Sequence, residues 1–183
     1  MTGARWLSET EERAWRALQF MHMRLEGELA RQLSVDSNLS YPDYQVLVAL
    51  TDRAEGRMRV VELAGVLSWE KSRLSHHIAR MMARGLVQKE KCDSDRRGAF
   101  VVVTEQGRNE IEAAAPGHVG AVRRLFVDRL TPRQLMAVGE AAEAVLAGFD
   151  EASRGPSTST EGGGSGPGQA PINSPTPSPG RGV

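Results

Sequence analysis

Between Lys71 and Arg84 the apolar residues Leu74, Ile78 and Met81 recur at spacings of four and three, and nearly everything else is polar or cationic. That spacing predicts a helix with a narrow apolar stripe, which must lie on other elements of a core. It leaves Lys71, Ser72, Arg73, Ser75, His76 and Arg80 facing solvent or a groove of nucleic acid. The helix starts at Ser68 or at Glu70, and Gly85 marks its end, because a glycine accepts the left-handed backbone that closes a helix. Upstream, Val61 to Leu67 forms a short helix in which the Leu63-Ala64 pair supplies the small residue that lets a second helix cross closely. Downstream, Leu86 to Lys91 and Ala99 to Thr104 read as short strands flanking a polar loop from Cys92 to Gly98, and Phe100-Val101-Val102-Val103 has the stronger strand propensity. Two short helices followed at once by a hairpin are the outline of a helix-turn-helix with a wing.

Charge is distributed to match. The chain has 23 Lys and Arg against 23 Asp and Glu, which taken alone argues against a polyanionic partner. Residues 57–97, however, hold 10 basic against 5 acidic side chains, between segments that are each net acidic. A duplex needs positive charge only where it lies, so a basic module on an acidic scaffold points to DNA.

The scaffold reads as helical. Ser8 and Glu11 form a capping-box pattern, and Trp15, Leu18, His22, Leu25 and Leu29 follow at helical spacing, giving a long first helix that ends near Leu33. A narrow stripe over so many residues exceeds what one small core needs, so part of it should pack on a partner chain. Ser40 opens a second helix with Tyr41, Pro42 and Asp43 in its first turn, filled by Tyr44, Val46, Leu47 and Leu50. Met58 to Val60 can form a very short strand. A fifth helix begins near Thr104 or Glu105 and should bend or break around Pro116-Gly117 before continuing through Val119, Val122, Leu125 and Phe126. Thr131-Pro132-Arg133-Gln134 starts a sixth, running to about Phe149. The expected fold class is therefore mainly α with a small β-wing. A winged helix-turn-helix lobe (about 40–104) would be joined to dimerisation helices (about 8–33 and 105–149) within a domain spanning 1–152. From Ser153 to Val183 the chain is dominated by Gly, Pro, Ser and Thr and reads as a disordered tail, too poor in apolar area to offset the entropy of ordering it.

In this order of elements the chain resembles the MarR family of transcriptional regulators. The resemblance is carried by Glu62-Leu63-Ala64, by Lys71-Ser72-Arg73-Leu74-Ser75, by Arg84-Gly85-Leu86-Val87, by Asp95-Arg96-Arg97 and by Val103-Thr104-Glu105-Gln106-Gly107. It implies that Arg97 first and Arg96 second enter a minor groove, with Asp95 orienting a neighbouring arginine; a guanidinium suits the negative potential of such a groove. It also implies a homodimer on a near-palindromic operator, with Trp15, Leu18, Leu125, Phe126, Leu135 and Leu146 as candidates for the interface or its adjoining core. A small, often aromatic effector would release the repressor by entering the crevice between the dimer helices and the DNA-binding lobe. Glu70 departs from the pattern, standing where the family places a serine or similar cap.

Other chemistries find little footing. Cys92, the single cysteine, sits among cationic residues of the wing, but a thiol at a strand end is the simpler reading. His22, His76, His77 and His118 lack metal-ligand spacing, so no metal or cofactor is expected; His76 is a candidate DNA contact and His77 a side chain along the motif's edge. No strand elbow or glycine-rich loop sets a nucleophile beside a base, which excludes a recognisable hydrolase site. Without a membrane span or secretory leader, the expected location is the cytoplasm. The alternatives are a ligand-independent regulator and a winged-helix module that holds another protein.

Overall fold

The computed structural model describes residues 5–92 and 95–154; of 92, 95–98 and 150–154 the backbone alone is described. The chain divides into two compact units, one ending at Arg129 and the other beginning at Leu130.

The first unit opens with helix α1, Glu9–Asp36, three residues longer than its apolar stripe indicates. Its capping box is formed: Ser8 N–H donates to Glu11 Oε2 at 2.7 Å and Glu11 N–H to Ser8 Oγ at 3.3 Å. Only Leu29 and Leu33 near its C-terminal end are buried. Helix α2, Tyr41–Thr51, repeats the device with Ser40 and Asp43, and Val46, Leu47 and Leu50 are fully buried. Strand β1, Arg57–Arg59, lies one residue earlier than the composition suggests and is followed directly by helix α3, Val60–Val66, with Leu63 and Ala64 inward.

Helix α4, Lys71–Ala83, presents Leu74, Ile78 and Met81 to the core. Strands β2, Val87–Cys92, and β3, Asp95–Val103, form the hairpin, and β1 joins β3 on its other edge to give an antiparallel sheet in the order β1-β3-β2. The strands run further toward the tip than the polar loop Cys92 to Gly98 implies. Cys92 pairs with Asp95, with a register shift after Lys91 that accommodates the irregular end.

Helix α5, Glu105–Leu125, passes through Pro116 without a break. The helix does not break there: the proline costs it one N–H, and the buried face of Ile111, Ala114 and Ala121 on both sides of Pro116 holds it to the core. α5 packs on α1 and α2, so that α2, α3, α4 and the sheet enclose one core from Leu33 to Ala114. The second unit contains helix α6, Pro132–Arg154, opened by a capping box: Thr131 N–H donates to Gln134 Oε1 at 3.0 Å and Gln134 N–H to Thr131 Oγ1 at 3.3 Å. It extends five residues past Phe149 and includes Arg154, leaving 155–183 of the expected tail outside the described residues. Among the described residues no helix is long and apolar enough to cross a membrane.

Large apolar side chains remain uncovered. Trp15, Leu18 and Leu146 are 53%, 51% and 60% exposed, while Leu125, Phe126 and Leu135 are half-buried. The first three are therefore not core residues of the isolated chain, and Phe20, Met23 and Phe149 share their exposure.

Candidate nucleic-acid interface

The candidate surface is the outer face of α4. Its backbone starts after Glu70, whose extended φ of −60° and ψ of 139° make it the cap residue, and this settles the start in favour of Glu70 over Ser68. Ser68 takes a φ of +52° in the turn between the two helices. The Glu70 carboxylate makes no capping hydrogen bond. Lys71, Ser72, Arg73, Ser75, His76 and Arg80 are all exposed, as the stripe of Leu74, Ile78 and Met81 requires.

The inner edge of the same helix holds a cluster that the sequence reading missed. His77 is only 6% exposed, not a side chain along the motif's edge. Its Nε2 lies 3.0 Å from Asp43 Oδ1, close but poorly aligned for an N–H···O bond, and Arg80 Nη2 donates to its Nδ1 at 2.8 Å. Asp43 is itself buried and also accepts from Arg84 Nη1 at 2.7 Å and from Ser40 N–H at 2.9 Å. Arg84 further donates to the Asn38 carbonyl. Burial alone would push the Asp43 carboxyl up; the close approach of the His77 ring and the hydrogen bonds with Ser40 and Arg84 outweigh it and hold the group far below the usual carboxylate range. The signal was available: His77 stands three residues after Leu74, inside the stripe that faces the core.

Trp69 stacks edge-on to this cluster, its ring perpendicular to that of His77 with centroids 5.4 Å apart. The Arg73 guanidinium lies over the Trp69 ring, 4.5 Å from its centroid.

Where α4 turns into the wing, the backbone is locked by two distant segments. Gly85 has a φ of +71°, which an L side chain rarely adopts. The Thr104 hydroxyl donates to the Gly85 carbonyl at 2.6 Å and accepts from Gly107 N–H at 3.0 Å, so one side chain ties the helix end to the cap of α5. A Cβ on Gly107 would sit 2.1 Å from the Leu86 carbonyl oxygen, so only glycine fits there. This is the physical content of the Thr-x-x-Gly pattern after the wing. The backbone of Asp95, Arg96 and Arg97 belongs to β3, while the side chains of these three and of Cys92 lie outside the described residues. Arg57 and Arg59 both lie over the Phe100 ring, at 4.9 and 5.5 Å from its centroid, which places two more cations on the sheet beside the wing.

A model of the MarR family matches residues 37–98, the stretch from the start of α2 into the wing. The transcriptional regulator HosA of Escherichia coli O127:H6 is 34% identical over 98 residues, covering 53% of this chain and 70% of its own. Among solved structures, AbsC of Streptomyces coelicolor, a MarR-family transcriptional regulator, is 39% identical and superposes with a TM-score of 0.75 over 81% of this chain and 99% of its own. Sco3205 of the same organism, a MarR-family regulator solved in complex with DNA, is also 39% identical, with a TM-score of 0.76 over 81% of this chain and 92% of its own. The chain belongs to the MarR family. It is a transcriptional regulator with a DNA-binding winged-helix fold, and the relatives it matches are regulators rather than enzymes. In this MarR-family chain the motif residues retained around Gly85, Thr104 and Gly107 hold the wing on the helix that precedes it.

Proposed function

We propose that this MarR-family regulator acts as a homodimeric repressor that reads a near-palindromic operator through α4 and the wing and leaves it when a small effector binds. The observation that carries this reading is the outer face of α4, where Lys71, Ser72, Arg73, Ser75, His76 and Arg80 are exposed together while Leu74, Ile78 and Met81 anchor the helix. Such a face offers bidentate donors for base edges and cations for phosphates. Arg97 and Arg96 at the wing tip, with Asp95 orienting, would add the minor-groove contact.

Dimerisation is supported by the apolar side chains left open on α1 and α6, among them Trp15, Leu18 and Leu146. Leu125, Phe126 and Leu135 would complete the interface or its adjoining core. The dimer helices and the DNA-binding lobe would share the residues up to Arg154, where α6 ends.

An effector site is supported by a cleft of about 690 Å³ between the end of α1, the start of α2 and α4, lined by Ser34, Tyr41, Asp43, Arg80 and Arg84 among others. Its size suits a small molecule. A ligand there would shift the protein away from DNA only by binding the DNA-incompetent geometry more tightly.

The test is a gel-shift titration of the purified chain on the intergenic DNA upstream of its own reading frame, with unrelated duplex as competitor. Competitor-resistant binding is expected. Absence of binding at low and at physiological salt would instead favour a winged-helix module that holds another protein.

A further inference from the structure

Two of the DNA-facing arginines are not free to wander. Trp69, Arg73, His77 and Arg80 follow one another at spacings of four, four and three, which puts them along one edge of the helix and its lead-in. The Arg73 guanidinium is held over Trp69, the Trp69 ring meets His77 edge-on, and the His77 ring holds Arg80. At the inner end Asp43 fixes His77 from α2.

The tautomer follows from the partners. Arginine has no acceptor, so His77 Nδ1 must be the lone-pair nitrogen that receives the Arg80 N–H. The remaining ring proton is then on Nε2, which lies 3.0 Å from Asp43 Oδ1 without being well aligned with it. In this form the ring receives a cation on one side and lies against an anion on the other. It does so from a position with almost no contact with solvent.

We propose that Trp69 and His77 are positioning residues that fix the guanidinium groups of Arg73 and Arg80 before DNA arrives, and so set base discrimination. Neither touches DNA; each acts through the arginine it holds. Fixing a long side chain in advance removes ordering entropy that would otherwise be lost on binding, and it penalises a duplex whose bases do not meet the fixed donors. The inference rests on the proposal that α4 is the DNA-reading helix.

The experiment is an in vitro selection from a randomised duplex library with the full chain, followed by titrations on the selected duplex and on a scrambled one of equal length. Trp69→Leu is expected to weaken the selected duplex on the order of tenfold and to flatten the base preference, leaving the scrambled duplex unchanged; its melting temperature, read alongside, reports the packing of Trp69 on the core that is lost with it. Trp69→Phe should restore most of the loss, since it returns an aromatic face. On an Arg73→Ala background Trp69→Leu should have no further effect. His77→Gln supplies a second arm: its amide nitrogen can reach the Nε2 position and stay beside Asp43 while its acceptor oxygen is displaced from the Nδ1 position that receives Arg80, so its effect should vanish on an Arg80→Ala background. Effects that persist on the alanine backgrounds, or that fall equally on both duplexes, would overturn the positioning role. A wild-type chain that enriches no sequence would overturn the DNA-reading assignment, and this inference with it.

Discussion

The Asp43 carboxylate, on the third residue of α2, accepts a hydrogen bond from Arg84 at the end of α4 at 2.7 Å, across 41 positions of sequence. The same carboxylate caps its own helix and touches His77. One buried anion thus sets the distance between the first helix of the lobe and the helix that would enter the groove. Removing one partner of such a cluster leaves the others buried without compensation.

Asp43→Asn is therefore expected to destabilise the chain by about 2–4 kcal/mol at neutral pH, the lower part of the range applying because Arg84 is partly open to solvent. Urea denaturation of both proteins measures it. A stability equal to wild type would mean that the cluster contributes nothing net.

The pH dependence follows from the direction of the Asp43 shift. Its folded pKa lies below the ordinary carboxylate value, so its stabilisation is fully present above about pH 4 and is lost as the pH falls through the lowered folded value. Melting temperatures taken from pH 5 downward should fall in the wild type with a component that Asp43→Asn lacks. Parallel curves for the two proteins would contradict this.

Gly107→Ala should destabilise the fold even though it reduces the freedom of the unfolded chain, because its Cβ meets the Leu86 backbone at the point where the wing leaves α4. The expected penalty is about 2 kcal/mol or more, and Thr104→Ala should cost about 1–2 kcal/mol by removing the cap and the tie to Gly85. Thermal melts of the single variants and of the pair are the measurement; the pair should be less than additive, since both residues serve one junction.

Leu18→Asp, on the uncovered face of α1, is expected to shift the chain from dimer to monomer in sedimentation equilibrium, while the helical signal in circular dichroism survives. A dimer of unchanged strength would move the interface away from this face.

Much of this was legible in the sequence because local chemistry and global packing agree. Ser8 with Glu11 and Thr131 with Gln134 sit in the boxes their spacing announces, and Leu74, Ile78 and Met81 face inward as their period requires. Pro116 misleads, because a proline's local cost says nothing of the continuous buried face of Ile111, Ala114 and Ala121 that carries α5 past it. His77 misleads for a related reason: its polarity suggests the surface, while its position in the stripe puts it inside, and the partner that makes its burial tolerable, Asp43, is 34 residues away. Strands β1 and β3 could each be seen, but not their pairing, since pairing between segments so far apart in sequence leaves no local mark.

Substitution of single arginines should separate reading from attraction. Arg80→Ala and Arg97→Ala are each expected to weaken binding to a selected duplex by about 1–3 kcal/mol; Arg97→Ala should leave the melting temperature unchanged, while Arg80→Ala should lower it, since it takes the donor away from the buried His77 ring. An unchanged affinity for Arg97→Ala in a folded protein would place the wing off the DNA.

The measurement that bears most directly on the whole account is the salt dependence of duplex binding by the purified chain, followed by fluorescence anisotropy from low to physiological ionic strength. If the face of α4 and the wing lie on phosphates, the logarithm of the binding constant should fall linearly with the logarithm of salt concentration, with a slope corresponding to several released counterions. In Lys71→Ala that slope should shrink by about one for each protomer bound. A binding constant that does not change with salt would contradict the assignment of this surface to DNA.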